Sequence, residues 1–189
     1  PIVLFKKWFA TAEKSETNDP NALSLATSSS DGIPSVRMVL LKGLSDSGFV
    51  FYTNFDSKKG NDLKNNPNAS MCFHWKSIRR QIRVSGKVSF VDKKEADEYF
   101  ASRDYGSKIS AWSSSQSKVM KNKNEFLGKI KEFEKKFSDK NNVPRPPHWS
   151  GWRIKPNEIE FWLEIKNRSH ERLNYRKEND KWIKEILYP

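Results

Sequence analysis

The strongest constraint on the fold is a succession of short apolar segments separated by turn-forming residues. The segments read ALSLAT, SVRMVLLK, FVFYT, ASMCFHW, RRQIRVSGKVSFV, EIEFWLEI, ERLNYRKE and KWIKEILY. Gly, Ser, Asn and Asp cluster between them, which predicts β-strands joined by tight turns. About seven or eight antiparallel strands favour a closed or half-open barrel over a sandwich, because closure removes exposed strand edges.

A few helices are predicted around these strands. The first covers about residues 2–14, where apolar side chains recur at helical spacing. A short helix begins at Ser57, a typical N-cap residue. A capping box at Asp92 and apolar spacing after it predict helical insertions over about residues 92–137. No domain boundary is visible, so residues 1–189 are expected to form one mainly β domain with inserted helices (α+β).

Composition limits the classes of function. A net charge of +12 attracts anions, which admits nucleic acid, anionic membranes and phosphorylated small molecules. Acids are interleaved with the Lys and Arg residues, which favours a solvated ionic surface over a nucleic-acid interface. The single Cys72 excludes an internal disulfide framework, and the three histidines lack metal-ligand spacing. We therefore expect a cytoplasmic protein with no metal site and, since no apolar run could span a bilayer, no membrane partner.

The segment RSHER carries the most informative cluster of charge. If it is extended, Arg168, His170 and Arg172 share a face, because alternate side chains of a strand point the same way. Two guanidinium groups beside an imidazole repel one another unless an anion or an electron-rich ring lies among them. A solvated basic turn is an equally good interpretation of this segment alone.

A second cluster is formed by RMVLLK and the helix start that follows it. Arg37 and Lys42 bracket four apolar residues, so we expect a strand that is buried on both faces. Charges at its ends then need partners such as phosphate oxygens, unless they reach solvent. Ser57, Lys58 and Lys59 stand at the predicted helix start, where free N–H groups favour an anion.

Three other features are consistent with a site. Tyr99 and Arg103 share a helix face and Ser107 follows them, which suits a phosphate but equally suits surface packing. Trp162 lies opposite the apolar face of EIEFWLEI and needs a flat ligand or another subunit as a partner. Gln81 offers an amide that can both donate to and accept from a heterocycle, although a polar outer face would also explain it.

Eight blocks of the sequence, taken in order, resemble the pyridoxamine/pyridoxine 5'-phosphate oxidase family. The blocks are RMVLLK, FYTN, SKK, RRQIRVSGK, YFASR, AWSSSQS, EIEFW and RSHER. The likeness extends over essentially the whole chain from about Leu4. It implies an antiparallel split β-barrel that binds FMN, and a homodimer whose active sites lie at the subunit interface.

The resemblance also implies roles for particular residues. The FMN-binding residues would be Arg37, Met38, Val39, Leu40, Tyr52, Thr53, Lys58, Lys59, Gln81, Gln116, Ser117, Trp162 and Arg172. The substrate-binding residues would be Lys42, Tyr99, Arg103, Ser107, Arg168 and His170. Of these, Arg168 and His170 would be catalytic, orienting the substrate and managing its departing proton. Lys58 replaces an arginine that some members have, which keeps the charge but loses the bidentate fork.

The implied reaction oxidises a small phosphorylated pyridine substrate. Pyridoxine or pyridoxamine 5'-phosphate would become pyridoxal 5'-phosphate by hydride transfer from C4' to flavin N5, with oxygen then reduced to hydrogen peroxide. The closest alternative is another split-barrel FMN flavoprotein with a reductase activity, since one fold hosts many functions. A basic nucleic-acid-binding protein is a more distant alternative, and its affinity would fall steeply with salt.

Overall fold

Nine antiparallel strands curl into one sheet, with five α-helices packed around it, in a computed structural model that describes residues 1–189. The strands are β1 Ala22–Ser28, β2 Pro34–Leu40, β3 Gly43–Ser45, β4 Gly48–Asn54, β5 Asn68–Trp75, β6 Arg80–Phe90, β7 Trp149–Leu163, β8 Glu171–Glu178 and β9 Lys181–Leu187. The helices are α1 Ile2–Ser15, α2 Lys58–Asn65, α3 Lys93–Ala101, α4 Tyr105–Ser113 and α5 Lys123–Lys136. The mainly β class with helical insertions is confirmed.

The long strand β7 organises the sheet. The strand order is β2-β1-β5-β6-β7-β4-β3, with β8 paired to β7 and β9 to β8. On the edge of β7 that faces away from β6, the first part of the strand pairs with β4 and the last part pairs with β8. The neighbouring strand therefore changes along the length of β7. Between Ser85 and Gly86 of β6 the pairing register with β7 shifts by one residue, because Asn157 of β7 has no partner on β6. A Cβ atom at Gly86 would lie 2.1 Å from the carbonyl oxygen of Lys155, so only glycine allows this close approach.

The core lies between the concave side of the sheet and α1. Alternation along β1 buries Leu23 and Leu25, as expected for a strand with one apolar face. Phe5 of α1 is fully buried and its ring contacts Phe49 of β4 at 4.9 Å and Phe73 of β5 at 5.2 Å. The N-terminal helix is therefore part of the core rather than a surface appendage.

The prediction that RMVLLK is buried on both faces is wrong. β2 pairs only with β1, so it is an edge strand with alternating exposure. Val36 and Met38 are 67% and 63% exposed, while Arg37 and Val39, which alternate with them along the strand, are half-buried. An apolar run alone does not distinguish a central strand from an edge strand whose outer face is left uncovered.

Two N-cap residues begin the first two helices of the helical insertion. Asp92 accepts a hydrogen bond from the backbone N–H of Glu95 and begins α3, as predicted. Asp104 begins a separate helix, α4, by accepting from the backbone N–H of Ser107 at 2.8 Å. None of the five helices combines the length and apolarity needed to cross a bilayer. No cluster of three or more His, Cys, Asp or Glu side chains is placed to hold a metal ion.

Candidate active site

An open cavity of about 640 Å³ lies between β2, β4, the start of α2, the end of α3 and the loop after α4. It brings together most of the residues that the sequence singled out. They are Arg37, Met38, Val39, Leu40, Lys42, Tyr52, Thr53, Lys58, Lys59, Tyr99, Arg103, Gln116 and Ser117. Residues that are far apart in sequence and share one cavity are candidates for one binding site.

Lys59 is a buried cation with only neutral partners. It is 9% exposed, and its Nζ donates to Thr53 Oγ1 at 3.0 Å and to Gln116 Oε1 at 2.9 Å. No carboxylate lies within ion-pair distance of it, although buried lysines usually have one. Burial, and then the charge of Arg37, lower the pKa of Lys59 to about 8. Such a site is suited to an incoming anion, which would favour the charged form of Lys59 and raise its pKa again.

Arg37 and Lys58 share one carboxylate beside this lysine. Asp62 Oδ2 lies 3.7 Å from the Arg37 guanidinium, and Asp62 Oδ1 lies 3.3 Å from Lys58 Nζ. Arg37 also donates to Thr27 Oγ1 at 2.7 Å, and burial lowers its pKa despite the attraction of Asp62. Three cations with one carboxylate leave this part of the cavity positive, as a phosphate group requires.

A second cationic group is built around Arg103. Its guanidinium carbon lies 4.8 Å from the centre of the Trp149 ring, and its Nη1 is buried without a hydrogen-bond partner. Burial lowers the pKa of Arg103. Tyr52 and Tyr99 stack at 3.9 Å beside it, and burial raises the pKa of Tyr52 to about 12, so its hydroxyl stays protonated. A buried N–H group without an acceptor is costly unless a ligand supplies one.

Six predicted residues do not line this cavity. They are Gln81, Ser107, Trp162, Arg168, His170 and Arg172. Gln81, Trp162 and Arg172 are directly paired across β6, β7 and β8, so they form one row on one face of the sheet. The His170 ring lies 4.6 Å from the Trp162 ring and joins this row. Most of the predicted site therefore falls into two groups within a single chain, the cavity and the Gln81–Trp162–Arg172 row, while Ser107 and Arg168 belong to neither.

RSHER is not the extended segment that was expected. Residues Lys166–Arg168 form a 3-10 turn, and Arg168 has a φ of 61° and is exposed. Strand β8 begins only at Glu171, so strand alternation cannot relate Arg168 to His170 and Arg172. His170 Nδ1 accepts a hydrogen bond from the backbone N–H of Ile165 at 3.2 Å. Neutral His170 is therefore assigned the tautomer with its proton on Nε2, which makes Nε2 a donor.

Glu160 and Trp149 are site-forming residues that the sequence reasoning missed. The Glu160 side chain is 3% exposed and accepts from Arg172 Nε at 2.9 Å and from Arg172 Nη2 at 3.2 Å, and it is also paired with Arg83. Burial raises the pKa of Glu160, but the hydrogen bonds from Arg172 and Arg83 outweigh it and the net shift is downward. Its position two residues before Trp162, on the same strand face, was the available signal. Trp149 gave none beyond standing at the end of a Pro-rich loop.

Two protein-family models match successive parts of this chain. Residues 10–137 match the family model described as pyridoxamine 5'-phosphate oxidase. Residues 149–189 match the model described as the pyridoxine 5'-phosphate oxidase C-terminal dimerisation region. Trp162, Arg172 and RSHER lie in the second match, whereas Gln81 and the cavity residues other than Trp149 lie in the first.

Two curated relatives are similar over the full length of the chain. The pyridoxine/pyridoxamine 5'-phosphate oxidase of Pelagibacter ubique is 57% identical over 190 residues, covering 100% of this chain and 91% of the relative. The protein of the same name from Sphingopyxis alaskensis is 50% identical over 189 residues, covering 100% of this chain and 87% of the relative. These matches confirm the resemblance inferred from the eight blocks.

Two solved structures share the fold. PhzG from Burkholderia lata, determined with tetrahydrophenazine-1-carboxylic acid, gives a TM-score of 0.94 at 32% identity and covers 100% of this chain and 92% of PhzG. A pyridoxamine 5'-phosphate oxidase-related, FMN binding protein from Nostoc punctiforme gives a TM-score of 0.78 at 16% identity and covers 100% of this chain and 98% of that protein. At this identity the similarity bears on the fold alone. The expected split β-barrel is thus confirmed, and the chain belongs to the pyridoxamine 5'-phosphate oxidase family.

Proposed function

We propose that this protein is an FMN-dependent oxidase that converts pyridoxine 5'-phosphate and pyridoxamine 5'-phosphate to pyridoxal 5'-phosphate, with oxygen reduced to hydrogen peroxide and, for the amine, water consumed and ammonia released. The observation that carries the proposal is one cavity with two cationic groups, around Lys59 and around Arg103, neither of which has its full complement of anions. An FMN enzyme acting on a phosphorylated substrate needs two phosphate sites. The names of the full-length relatives support the same reaction.

The residues around Lys59 fit the phosphate end of FMN. Arg37, Lys58 and Lys59 supply positive charge, and Thr53 and Gln116 supply polar atoms that already contact Lys59. A phosphate there would relieve the burial penalty that lowers the pKa of Lys59. When bound, FMN would accept a hydride from the substrate and pass the electrons to oxygen.

The residues around Arg103 fit the substrate phosphate. Arg103, Tyr99 and Lys42 line the same cavity, so a phosphate held by them would anchor the pyridine ring inside it. Binding energy gained at the phosphate would then support the orientation of the reacting carbon. Ser107 does not line the cavity, and its assignment to the substrate stays a prediction that rests on family resemblance.

The remaining part of the site is proposed to come from a second copy of the chain. The Gln81–Trp162–Arg172 row lines no part of the cavity, although the resemblance assigns its members to FMN. The exposed apolar side chains of Val36 and Met38 lie on an uncovered sheet face, which a second subunit would bury.

A homodimer would place the row of one subunit against the cavity of its partner.

His170 and Arg168 are proposed to act on the substrate from that second copy. Because His170 Nδ1 accepts the Ile165 N–H, its Nε2–H would donate to a substrate oxygen or nitrogen rather than take a proton from it. The exposed guanidinium of Arg168 would lie over the pyridine ring and orient it, and the proton that leaves the substrate hydroxyl or amine would pass to water. We also propose a cytoplasmic location, which rests on the single Cys72.

An aerobic assay tests the proposed function directly. The purified protein, supplied with FMN, is given pyridoxine 5'-phosphate or pyridoxamine 5'-phosphate, and pyridoxal 5'-phosphate and hydrogen peroxide are measured together. Equal amounts of both products are expected. A yellow protein that forms neither product would support a different split-barrel flavoprotein, and a colourless protein that binds oligonucleotides at physiological salt would support the nucleic-acid alternative.

A further inference from the structure

We propose that Trp149 is a positioning residue that presents Arg103 to the substrate phosphate and thereby sets the preference for phosphorylated over unphosphorylated substrates. This inference rests on the proposed function. Trp149 lines the same cavity as Arg103, and its role is indicated by contacts within this chain.

The first step of the argument is the way in which Arg103 is held. Its guanidinium lies over two rings, 4.8 Å from Trp149 and 5.6 Å from Phe100, and it pairs with no carboxylate. A ring face attracts a guanidinium without using its N–H donors, unlike a carboxylate, which occupies them. The buried Nη1 of Arg103 consequently has no partner. Trp149 thus fixes the plane of the guanidinium and leaves its donors for an anion.

The second step is the rigidity of Trp149 itself. The residue is 7% exposed, and its ring is parallel to those of Tyr52 and Tyr99 within 9° and 4°, at 5.3 Å and 6.2 Å. Arg145 donates from Nη1 to the Trp149 carbonyl at 2.6 Å and from Nε to Asp97 of α3 at 2.7 Å. The strand that bears Trp149 is therefore tied to the helix that leads into Arg103, so the two move as one unit.

The consequence is a preference for substrates with a phosphate group. A substrate without a phosphate leaves the buried Nη1 of Arg103 without an acceptor, and sites built this way reject the smaller analogue strongly. If the indole no longer orients Arg103, the phosphorylated substrate binds more weakly, because its contact with the guanidinium is weakened. The unphosphorylated substrate makes no such contact, so its binding changes little.

The test compares Trp149→Leu, Trp149→Phe and wild-type holoenzyme with pyridoxine 5'-phosphate and with pyridoxine. We expect Trp149→Leu to lower kcat/KM for the phosphorylated substrate about tenfold, mainly through KM, because a cation–π contact and the orientation it provides are lost. Turnover of pyridoxine should change by less than about twofold, so the ratio of the two kcat/KM values falls about tenfold. Trp149→Phe keeps an aromatic ring, so its ratio of the two kcat/KM values should lie between those of wild type and Trp149→Leu. The matched control is Trp112→Phe, since Trp112 stacks with Lys136 at 5.5 Å outside the cavity and should leave the ratio unchanged.

A binding measurement separates this inference from the proposed function. Calorimetric titration with pyridoxal 5'-phosphate and with pyridoxal needs no turnover, and Trp149→Leu should weaken only the phosphorylated ligand, with FMN affinity within about threefold of wild type. Equal losses for both ligands, or an unchanged ratio in either variant, would overturn the role of Trp149. If wild-type protein binds pyridoxal 5'-phosphate but forms no product, the proposed oxidase function fails and the titration still decides the role of Trp149. If Trp149→Leu does not fold, Trp149→Phe carries the same comparison at smaller amplitude.

Discussion

Replacing Glu160 by Gln tests whether a buried carboxylate holds the Gln81–Trp162–Arg172 row in place. Glu160 accepts two hydrogen bonds from Arg172 and pairs with Arg83, and its side chain is 3% exposed. Removing one partner of a buried ion pair costs roughly 3–5 kcal/mol, and a hydrogen bond to a charged group contributes roughly 1.5–3 kcal/mol. Gln keeps one carbonyl acceptor, and the Arg83 and Arg172 side chains are 54% and 26% exposed, so water replaces part of the loss. We expect Glu160→Gln to lower the free energy of unfolding by about 2 kcal/mol.

Thermal unfolding at fixed protein and FMN concentrations measures this loss. For a chain of this size, about 2 kcal/mol corresponds to a decrease in Tm of roughly 4–8 °C. The matched control is Glu158→Gln, because Glu158 lies on the same strand face but is exposed and accepts only from Asn174 at 3.1 Å. That control should change the free energy of unfolding by less than about 0.5 kcal/mol.

The pH dependence gives a second check on Glu160. Its pKa is lowered in the folded protein, where the hydrogen bonds from Arg172 and Arg83 outweigh burial, so the folded state binds the proton less readily than the unfolded chain. The contribution to stability is therefore complete above the unfolded pKa of about 4.3 and is lost as the pH falls through the folded pKa. The Tm difference between wild type and Glu160→Gln should be full at pH 7 and shrink below about pH 4. Equal Tm values at pH 7 would refute the reasoning.

Further substitutions test the two halves of the site. Lys59 loses its charge as the pH rises through its pKa of about 8, so FMN affinity should fall above that pH, and Lys59→Met should abolish this dependence in a fluorescence titration. His170→Gln keeps an N–H donor and should retain turnover within about threefold and an unchanged pH–rate profile, whereas loss of a general base costs roughly 100-fold. Arg168→Ala should reduce turnover more than FMN retention, and Arg172→Ala the reverse, as steady-state kinetics and flavin release would show. Normal kinetics in Arg168→Ala would remove that residue from the site.

Local patterns predicted most of the secondary structure, because they report on local energetics. Ser57 and Asp92 both begin helices as N-caps, with side chains accepting from backbone N–H groups as expected, although the Glu95 side chain of the predicted capping box pairs with Arg153 instead. Asn179 and Asp180 have positive φ values and form the turn between β8 and β9. The apolar β2 segment was misjudged because its exposure depends on strand order, which is set by distant parts of the chain.

The site was predictable as a list of residues and not as an arrangement. Charge and spacing pointed to the cationic residues and family resemblance gave them roles, but Glu160 becomes significant only through pairing with Arg83 and Arg172 on neighbouring strands. Trp149 likewise acquires a role only when folding brings it over Arg103. The shared face of Arg168 and Arg172 was conditional on an extended segment, and that condition fails because the backbone turns with positive φ at Arg168 before β8 begins. Contacts between distant residues are the information that a single sequence carries least directly.

Strand β2 links cofactor binding to assembly in the proposed homodimer. Alternation along the strand directs Arg37 and Val39 to the less exposed face and leaves Val36 and Met38 on the exposed one. A second copy that covers the exposed face would press on the same strand that carries a cation of the FMN phosphate site. It would also bring a row of residues that the first chain cannot place in its own cavity. Because a ligand bound only by the assembled state stabilises that state by mass action, FMN binding and dimerisation should reinforce each other, and the apparent stability of the protein depends on the concentrations of both.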